Sequence, residues 1–105
     1  MDKLVRDKIP EIMKKNKAEP NIKIAKCDKE YLSALNKKLL EEVNEFIEVS
    51  NNSEAELIKK EIADILEVIE AICKLKNYKM DTIYEIKSNK KKERGGFDKR
   101  IILEL

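Results

Sequence analysis

Apolar residues recur every three or four positions over two long stretches of the chain, which is the spacing of an amphipathic α-helix. The first stretch covers about 29–49 and ends at the polar sequence Ser50-Asn51-Asn52. The second runs to about residue 76 and begins with Ser53 and Glu56, which fit a capping box. We therefore predict two long helices whose core-facing residues are Leu32, Leu35, Leu39, Val43, Phe46 and Ile47 in the first and Ile58, Ile62, Ile65, Ile69 and Ile72 in the second.

Two shorter helices are predicted on either side of this pair. Asp7 is the expected N-cap of the first, and Pro10 falls in its first turn, where a missing N–H does little harm. Asp28 has the same expected role for the first long helix, and Asp81 for the last helix. We end that last helix just before Gly95, because glycine readily adopts the positive φ of a helix terminator.

Short extended segments are predicted near 22–27, where Ile22 and Ile24 alternate with polar residues, and near 97–105. The two segments are candidates for pairing as a two-stranded ribbon. The chain has 105 residues, few glycines and prolines, and equal shares of 42% for hydrophobic and for charged residues. This length and composition predict a single all-α domain over 1–105.

Charge is strongly segregated although the net charge is only +2. Residues 28–70 hold twelve acidic and five basic side chains, whereas residues 87–100 hold seven basic and two acidic ones. An acidic centre with a basic tail suits a ligand made of a metal ion and a polyphosphate. Two solvated faces of opposite charge would give the same pattern.

The absence of histidine removes whole classes of chemistry. Because the chain also has no Cys-x-x-Cys pair, zinc fingers are excluded, and so are histidine-based acid–base catalysis and Ser-His-Asp hydrolysis. Cys27 and Cys73 stand alone and no signal peptide is visible, so we expect a reduced, cytoplasmic protein. The longest apolar runs are three residues, and we therefore expect no membrane span.

Two pairs of acidic residues three positions apart are the candidate chemistry. Each pair, Glu42 with Glu45 and Glu61 with Asp64, presents two carboxylates on one side of a helix. At about 3.6 residues per turn, Glu42 and Glu61 fall inside the apolar stripes, while Glu45 and Asp64 lie at the margins. If the helices pair in antiparallel fashion, four carboxylates converge. Ionised carboxylates in a core need a cation, a base or a proton.

Two kinds of partner for these acids stay open. A divalent cation held by oxygen ligands alone would be Mg²⁺, with Mn²⁺ as the second choice. Lysines are the alternative, and Lys38 lies on the same side of its helix as Glu42. A di-iron carboxylate bundle is disfavoured because its Glu-x-x-His motif is missing.

The acids also form a recognisable signature. Glu41-Glu42-x-x-Glu45 followed by Glu61-x-x-Asp64 resembles the EExxE…ExxD pattern of the MazG-type, all-α nucleoside triphosphate pyrophosphohydrolases. Residues 3–12 and 93–103 resemble a small branch of that superfamily, described as phosphoribosyl-ATP pyrophosphohydrolase-like. The resemblance extends over nearly the whole chain.

The resemblance implies a four-helix MazG-like bundle that is completed as a homodimer or homotetramer. It implies Mg²⁺-dependent hydrolysis of a nucleoside triphosphate between the α- and β-phosphates, giving a nucleoside monophosphate and pyrophosphate. House-cleaning of non-canonical nucleotides is a role consistent with that activity. By position, Glu41 is the catalytic residue that orients or deprotonates the attacking water, and the metal ligands are Glu42, Glu45, Glu61 and Asp64.

The leaving pyrophosphate needs cations around it. Arg94 is the strongest single candidate, because the turn Gly95-Gly96 beside it would let backbone amides approach a phosphate, although a plain helix stop is the more common reason for such glycines. Lys3, Arg6 and Lys8 are further candidates. The expected substrate-binding residues are Lys38, Lys87, Lys91, Arg94, Lys99 and Arg100.

A second class of function is compatible with the same residues. A non-catalytic helical module would bind nucleotides, or nucleic acid through its basic tail, with lysines across an interface satisfying the core-facing acids. We favour the enzyme. Its expected partners are the nucleoside triphosphate and further copies of the chain, and neither nucleic acid nor a membrane.

Overall fold

The computed structural model describes residues 2–51 and 54–105, and within them the fold is all-α. The prediction of an all-α fold with four helices is therefore confirmed. The helices are α1 (Ile9–Lys15), α2 (Asp28–Ser50), α3 (Ala55–Leu75) and α4 (Met80–Arg94).

The predicted ribbon between 22–27 and 97–105 is wrong, since the described residues contain no β-strand. Ile22 and Ile24 are exposed and have no edge to pair with. Near the other end, the N–H of Arg100 donates to the carbonyl of Phe97 at 3.1 Å, and Arg100 has a φ of 55°. That turn bends the segment and prevents a straight strand.

The helix starts differ from the predicted caps by one or two residues. The N-caps are Lys8, Cys27 and Lys79, and none makes a side-chain capping hydrogen bond. Asp28 and Asp81 instead lie in the first turns of α2 and α4, where their charges favour the positive end of the helix dipole.

A backbone hydrogen bond, and not a side chain, closes the turn at the start of α1. The N–H of Ile9 donates to the carbonyl of Arg6 at 3.0 Å, so Asp7 is not needed as a cap. The predicted capping box depends on Ser53, which lies outside the described residues. The first described residue before α3 is Glu54, which is the N-cap of that helix. At the other end of the fold, Gly95 ends α4 with a φ of 85°, as predicted.

The main tertiary contact joins α2 and α3 as an antiparallel helical hairpin. Its buried residues are Leu35 and Glu42 from α2 and Val68 and Cys73 from α3. The prediction of Leu35 as core is thus confirmed. Two other predicted core residues, Ile47 and Ile62, are exposed because none of the four described helices covers them.

The chain is open for its length. Its radius of gyration is 17.5 Å, whereas a compact domain of about 100 residues has a radius near ~13 Å. Neither α1 nor α4 has a buried residue, and the large apolar side chains beyond α4 are exposed. The α2–α3 hairpin is therefore the part of the fold that builds an interior, and the acidic residues of interest lie on it.

Candidate metal centre

The acids of α2 and α3 occupy the packed side of the hairpin because of where they fall in the helical repeat. Glu42 follows the buried Leu35 by seven residues, and Glu61 precedes the buried Val68 by seven, which is about two turns in each case. Each acid therefore shares a face with a core residue. Glu42 is only 5% exposed and is the one buried charged residue among those described, as its place in the apolar stripe predicted.

Three carboxylates meet at this point. Glu42, Glu45 and Glu61 each offer an oxygen, and these atoms lie within 4.8 Å of one another. Two carboxylate oxygens of these residues, Oε2 of Glu42 and Oε2 of Glu61, are buried and receive no hydrogen bond from the described residues. Buried acceptors without donors are costly. A set of converging oxygen ligands with orphaned lone pairs fits a hard divalent cation.

The protonation behaviour of the cluster reflects the same crowding. Burial and the charges of Glu42 and Glu61 raise the pKa of Glu45 to about 7. Burial raises the pKa of Glu61 as well, with the charges of Glu42 and Asp64 adding to the effect. The cluster resists holding all its negative charge at once, so it retains a proton or requires a cation.

Lys38 satisfies part of this charge. Its Nζ lies 3.2 Å from Oε1 of Glu42 and 3.6 Å from Oε2 of Glu41. Although burial alone would lower the pKa of Lys38, the hydrogen bond to Glu42 and the charge of Glu41 raise it. The lysine alternative thus accounts for one oxygen of Glu42. The other oxygen of Glu42, and Glu61 as a whole, are left without a basic partner in the described structure.

Asp64 and Glu41 lie beside the three glutamates and face other partners. Asp64 accepts a 2.8 Å hydrogen bond from Nη2 of Arg6. Glu41 is flanked by Lys38 and by Lys3, whose Nζ lies 3.6 Å from its Oε1. The structure therefore brings three of the four predicted ligands into one cluster. Asp64 is close enough to act on the pKa of Glu61, but it is directed to the segment before α1.

The predicted phosphate-binding residues divide into two groups. Lys38 is part of the site. The others lie on α4, a helix that packs little against the hairpin, or after it. They are exposed and make no ion pair within residues 2–51 and 54–105. Their assignment as phosphate-binding residues stays a prediction for Lys87, Lys91, Arg94, Lys99 and Arg100.

Arg6 is a basic residue whose position beside the site the sequence did not indicate. It precedes α1 and lies 58 residues from Asp64, so no helical spacing connects the two. The motif around it indicated a family branch and not a place in the fold. Only the tertiary structure brings its guanidinium to an acid of the signature.

Fold and site together define a class: an all-α protein whose central helical hairpin carries a carboxylate cluster suited to a divalent cation. The model of the MazG nucleotide pyrophosphohydrolase domain matches residues 30–96, and the chain belongs to this family. The matched range contains every acid of the cluster. Comparison with curated proteins and with solved structures gives no match. Each helix in the described part of the chain is too short or too polar to cross a bilayer.

Proposed function

We propose that this chain is a Mg²⁺-dependent nucleoside triphosphate pyrophosphohydrolase that cleaves between the α- and β-phosphates. The observation that carries the proposal is the convergence of Glu42, Glu45 and Glu61, with two buried carboxylate oxygens that lack donors. Membership of the MazG nucleotide pyrophosphohydrolase family supports a nucleotide as the substrate. House-cleaning of non-canonical nucleotides is the physiological role that we propose for it.

The cation would be held by Glu42, Glu45 and Glu61, with Asp64 as the fourth ligand. An all-oxygen donor set favours Mg²⁺, with Mn²⁺ as a substitute. When bound, the cation supplies Lewis-acid stabilisation of the charge that develops on the phosphates. Lys38 fixes one oxygen of Glu42 and leaves the other free for this purpose.

Glu41 is the proposed catalytic residue. Its side chain is 31% exposed, beside the cluster but not within it, and two ammonium groups flank it. A carboxylate in this position can accept a proton from water. The water oxygen bonds to the α-phosphorus and its proton passes to the Glu41 carboxylate. The bond from the α-phosphorus to the bridging oxygen breaks, and pyrophosphate leaves with that oxygen.

Self-association is part of the proposal. The hairpin leaves a set of apolar side chains exposed that a second copy of the chain would cover, and the high radius of gyration supports the same conclusion. We propose a homodimer or homotetramer of one-domain chains over 1–105, in a reduced cytoplasmic setting where both free cysteines persist. The exposed apolar residues of the hairpin are Leu40, Ile47, Leu57, Ile62 and Leu66.

Product analysis tests the reaction. The purified chain is incubated with a panel of nucleoside triphosphates and Mg²⁺, and the products are separated by anion-exchange chromatography. We expect nucleoside monophosphate and pyrophosphate in equal amounts, and neither in excess EDTA. Orthophosphate with a nucleoside diphosphate, or no turnover of any nucleotide, would contradict the proposal. If calorimetry also shows no Mg²⁺ binding, the non-catalytic binding module becomes the better account.

A further inference from the structure

The segment 2–8, which precedes α1, lies across both helices of the hairpin. Arg6 contacts Asp64 on α3 through a 2.8 Å hydrogen bond, and Lys3 contacts Glu41 on α2 at 3.6 Å. Three residues of chain span at most about 10 Å, so the backbone positions of Lys3 and Arg6 are close together. Both partners are acids of the signature and both lie beside the carboxylate cluster. The segment therefore brings two positive charges to the edge of the site.

The contacts of Arg6 leave much of its binding capacity unused. The guanidinium has several N–H donors in a planar fork, and the contact with Asp64 uses one nitrogen, Nη2. Its side chain is still 57% exposed, and it makes no second ion pair with a described residue. Lys38, by contrast, is 18% exposed and is already shared between Glu42 and Glu41. Arg6 is thus a cation at this edge that can take a second anion.

A triphosphate needs such a cation here. The site holds five acids of the signature, and their field repels an anionic substrate unless basic groups lie where the phosphates enter. The planar fork of arginine matches two phosphate oxygens at once, which a lysine ammonium does not. The basic residues of α4 and the tail make no ion pair with these acids within the described chain, whereas Arg6 and Lys3 do.

We propose that Arg6, with Lys3 as a weaker second contact, binds the phosphates of a nucleoside polyphosphate at the edge of the carboxylate cluster. This inference rests on the proposed function, because it assumes that the nucleotide approaches these acids. It identifies the substrate class by its phosphates and not by its base. Binding should therefore weaken steeply from triphosphate to monophosphate, and that dependence should require Arg6.

The test measures binding without turnover. Calorimetry with Mg²⁺ and an α,β-methylene nucleoside triphosphate, which cannot be cleaved at the α–β position, is run on the full chain, on Arg6→Ala and on Arg6→Lys. Lys14→Ala is the matched control, because Lys14 is an exposed lysine that makes no ion pair with a described residue. Circular dichroism confirms that each variant is folded.

We expect Arg6→Ala to weaken binding of the triphosphate analogue by at least about tenfold, as the loss of one charge-assisted contact predicts. Monophosphate binding and Mg²⁺ affinity should change by less than about threefold, and Arg6→Lys should fall between wild type and Arg6→Ala. Lys14→Ala should bind as wild type does. Equal analogue affinity in wild type and Arg6→Ala would overturn the inference. So would a matching change in Mg²⁺ affinity, because Arg6 would then act only through Asp64.

Hydrolysis by the wild-type chain separates the two proposals. Turnover and analogue binding that Arg6→Ala leaves unchanged would overturn the role of Arg6 alone. Analogue binding that depends on Arg6, with no turnover of any nucleotide, would support that role and overturn the proposed hydrolysis. A wild-type chain that neither binds the analogue nor turns over a nucleotide would overturn both.

Discussion

Glu42 of α2 and Glu61 of α3 meet across the helical hairpin, and each holds a buried Oε2 that receives no hydrogen bond from a described residue. A core built only for stability would place apolar side chains at these two positions, since each shares a face with a buried apolar residue. Buried charge of this kind is destabilising unless a partner compensates it. The pair is therefore explained best as part of a cation-binding site.

Replacing Glu61 by Gln keeps its shape and removes its charge. We expect the metal-free protein to gain about 1 kcal/mol in free energy of unfolding, because repulsion within the cluster is relieved. We expect Mg²⁺ affinity to fall at least about tenfold and hydrolysis by about a hundredfold or more. Urea denaturation in EDTA, calorimetry and the product assay measure the three effects. Glu67→Gln, an exposed acid on the same helix, is the control. Unchanged Mg²⁺ binding in Glu61→Gln would refute the ligand assignment.

The stability of the metal-free protein should depend on pH through Glu45. Its pKa lies near 7 in the folded protein, above the ordinary value of 4.5, so the folded state binds the proton more tightly than the unfolded state. The contribution of Glu45 to the free energy of unfolding is then fully present below about pH 4.5 and is lost as the pH rises through about 7. Thermal melts in EDTA should show this decline, and added Mg²⁺ should reverse it. Glu45→Gln should flatten the profile, and an unaltered profile in that variant would assign the effect to other groups.

Lys38 should contribute to stability because it neutralises the most buried acid. Lys38→Met leaves both oxygens of Glu42 without a donor, and we expect a loss of about 2 kcal/mol in the free energy of unfolding. Lys37→Met, at the exposed neighbouring position, should change stability by less than about 0.5 kcal/mol. Urea denaturation of both variants tests the difference. Equal stabilities would show that the Lys38–Glu42 contact contributes nothing net.

Self-association should depend on the exposed apolar residues of the hairpin. Leu40 is 62% exposed on α2, and a charge there would lie within the interface that we propose. We expect Leu40→Glu to shift the chain from dimer or tetramer towards monomer in light scattering coupled to gel filtration. Lys60→Glu, on an exposed position of α3, should leave the assembly intact. A monomeric wild-type chain would contradict the proposed assembly outright.

Much of the hairpin was predictable because its signals are local. The helical period of α2 and α3 depends on neighbours three and four residues away, and the same period places Glu42 among apolar residues. The burial of Glu42 followed from that period. The approach of Glu45 and Glu61 needed one more assumption, the antiparallel pairing of consecutive helices, which a short connection favours.

The remaining features depend on contacts between distant residues. Arg6 reaches Asp64 across 58 positions, and nothing in the local sequence specifies that contact. The ribbon failed for a related reason, since alternation at Ile22 and Ile24 predicts a strand only if a partner strand exists. The exposure of Ile62 shows the same limit. An apolar helix face predicts that its residues are buried, but it does not tell which chain packs against them.

Hydrolysis in water enriched in oxygen-18 tests the central claim most directly. The wild-type chain, a nucleoside triphosphate and Mg²⁺ are combined in labelled water, and the products are weighed by mass spectrometry. Attack at the α-phosphorus predicts one labelled oxygen in the nucleoside monophosphate and none in pyrophosphate, with no reaction in EDTA. Label in the pyrophosphate or release of orthophosphate would contradict attack at the α-phosphorus, and unchanged turnover in EDTA would contradict a metal-dependent hydrolase built on the carboxylate cluster.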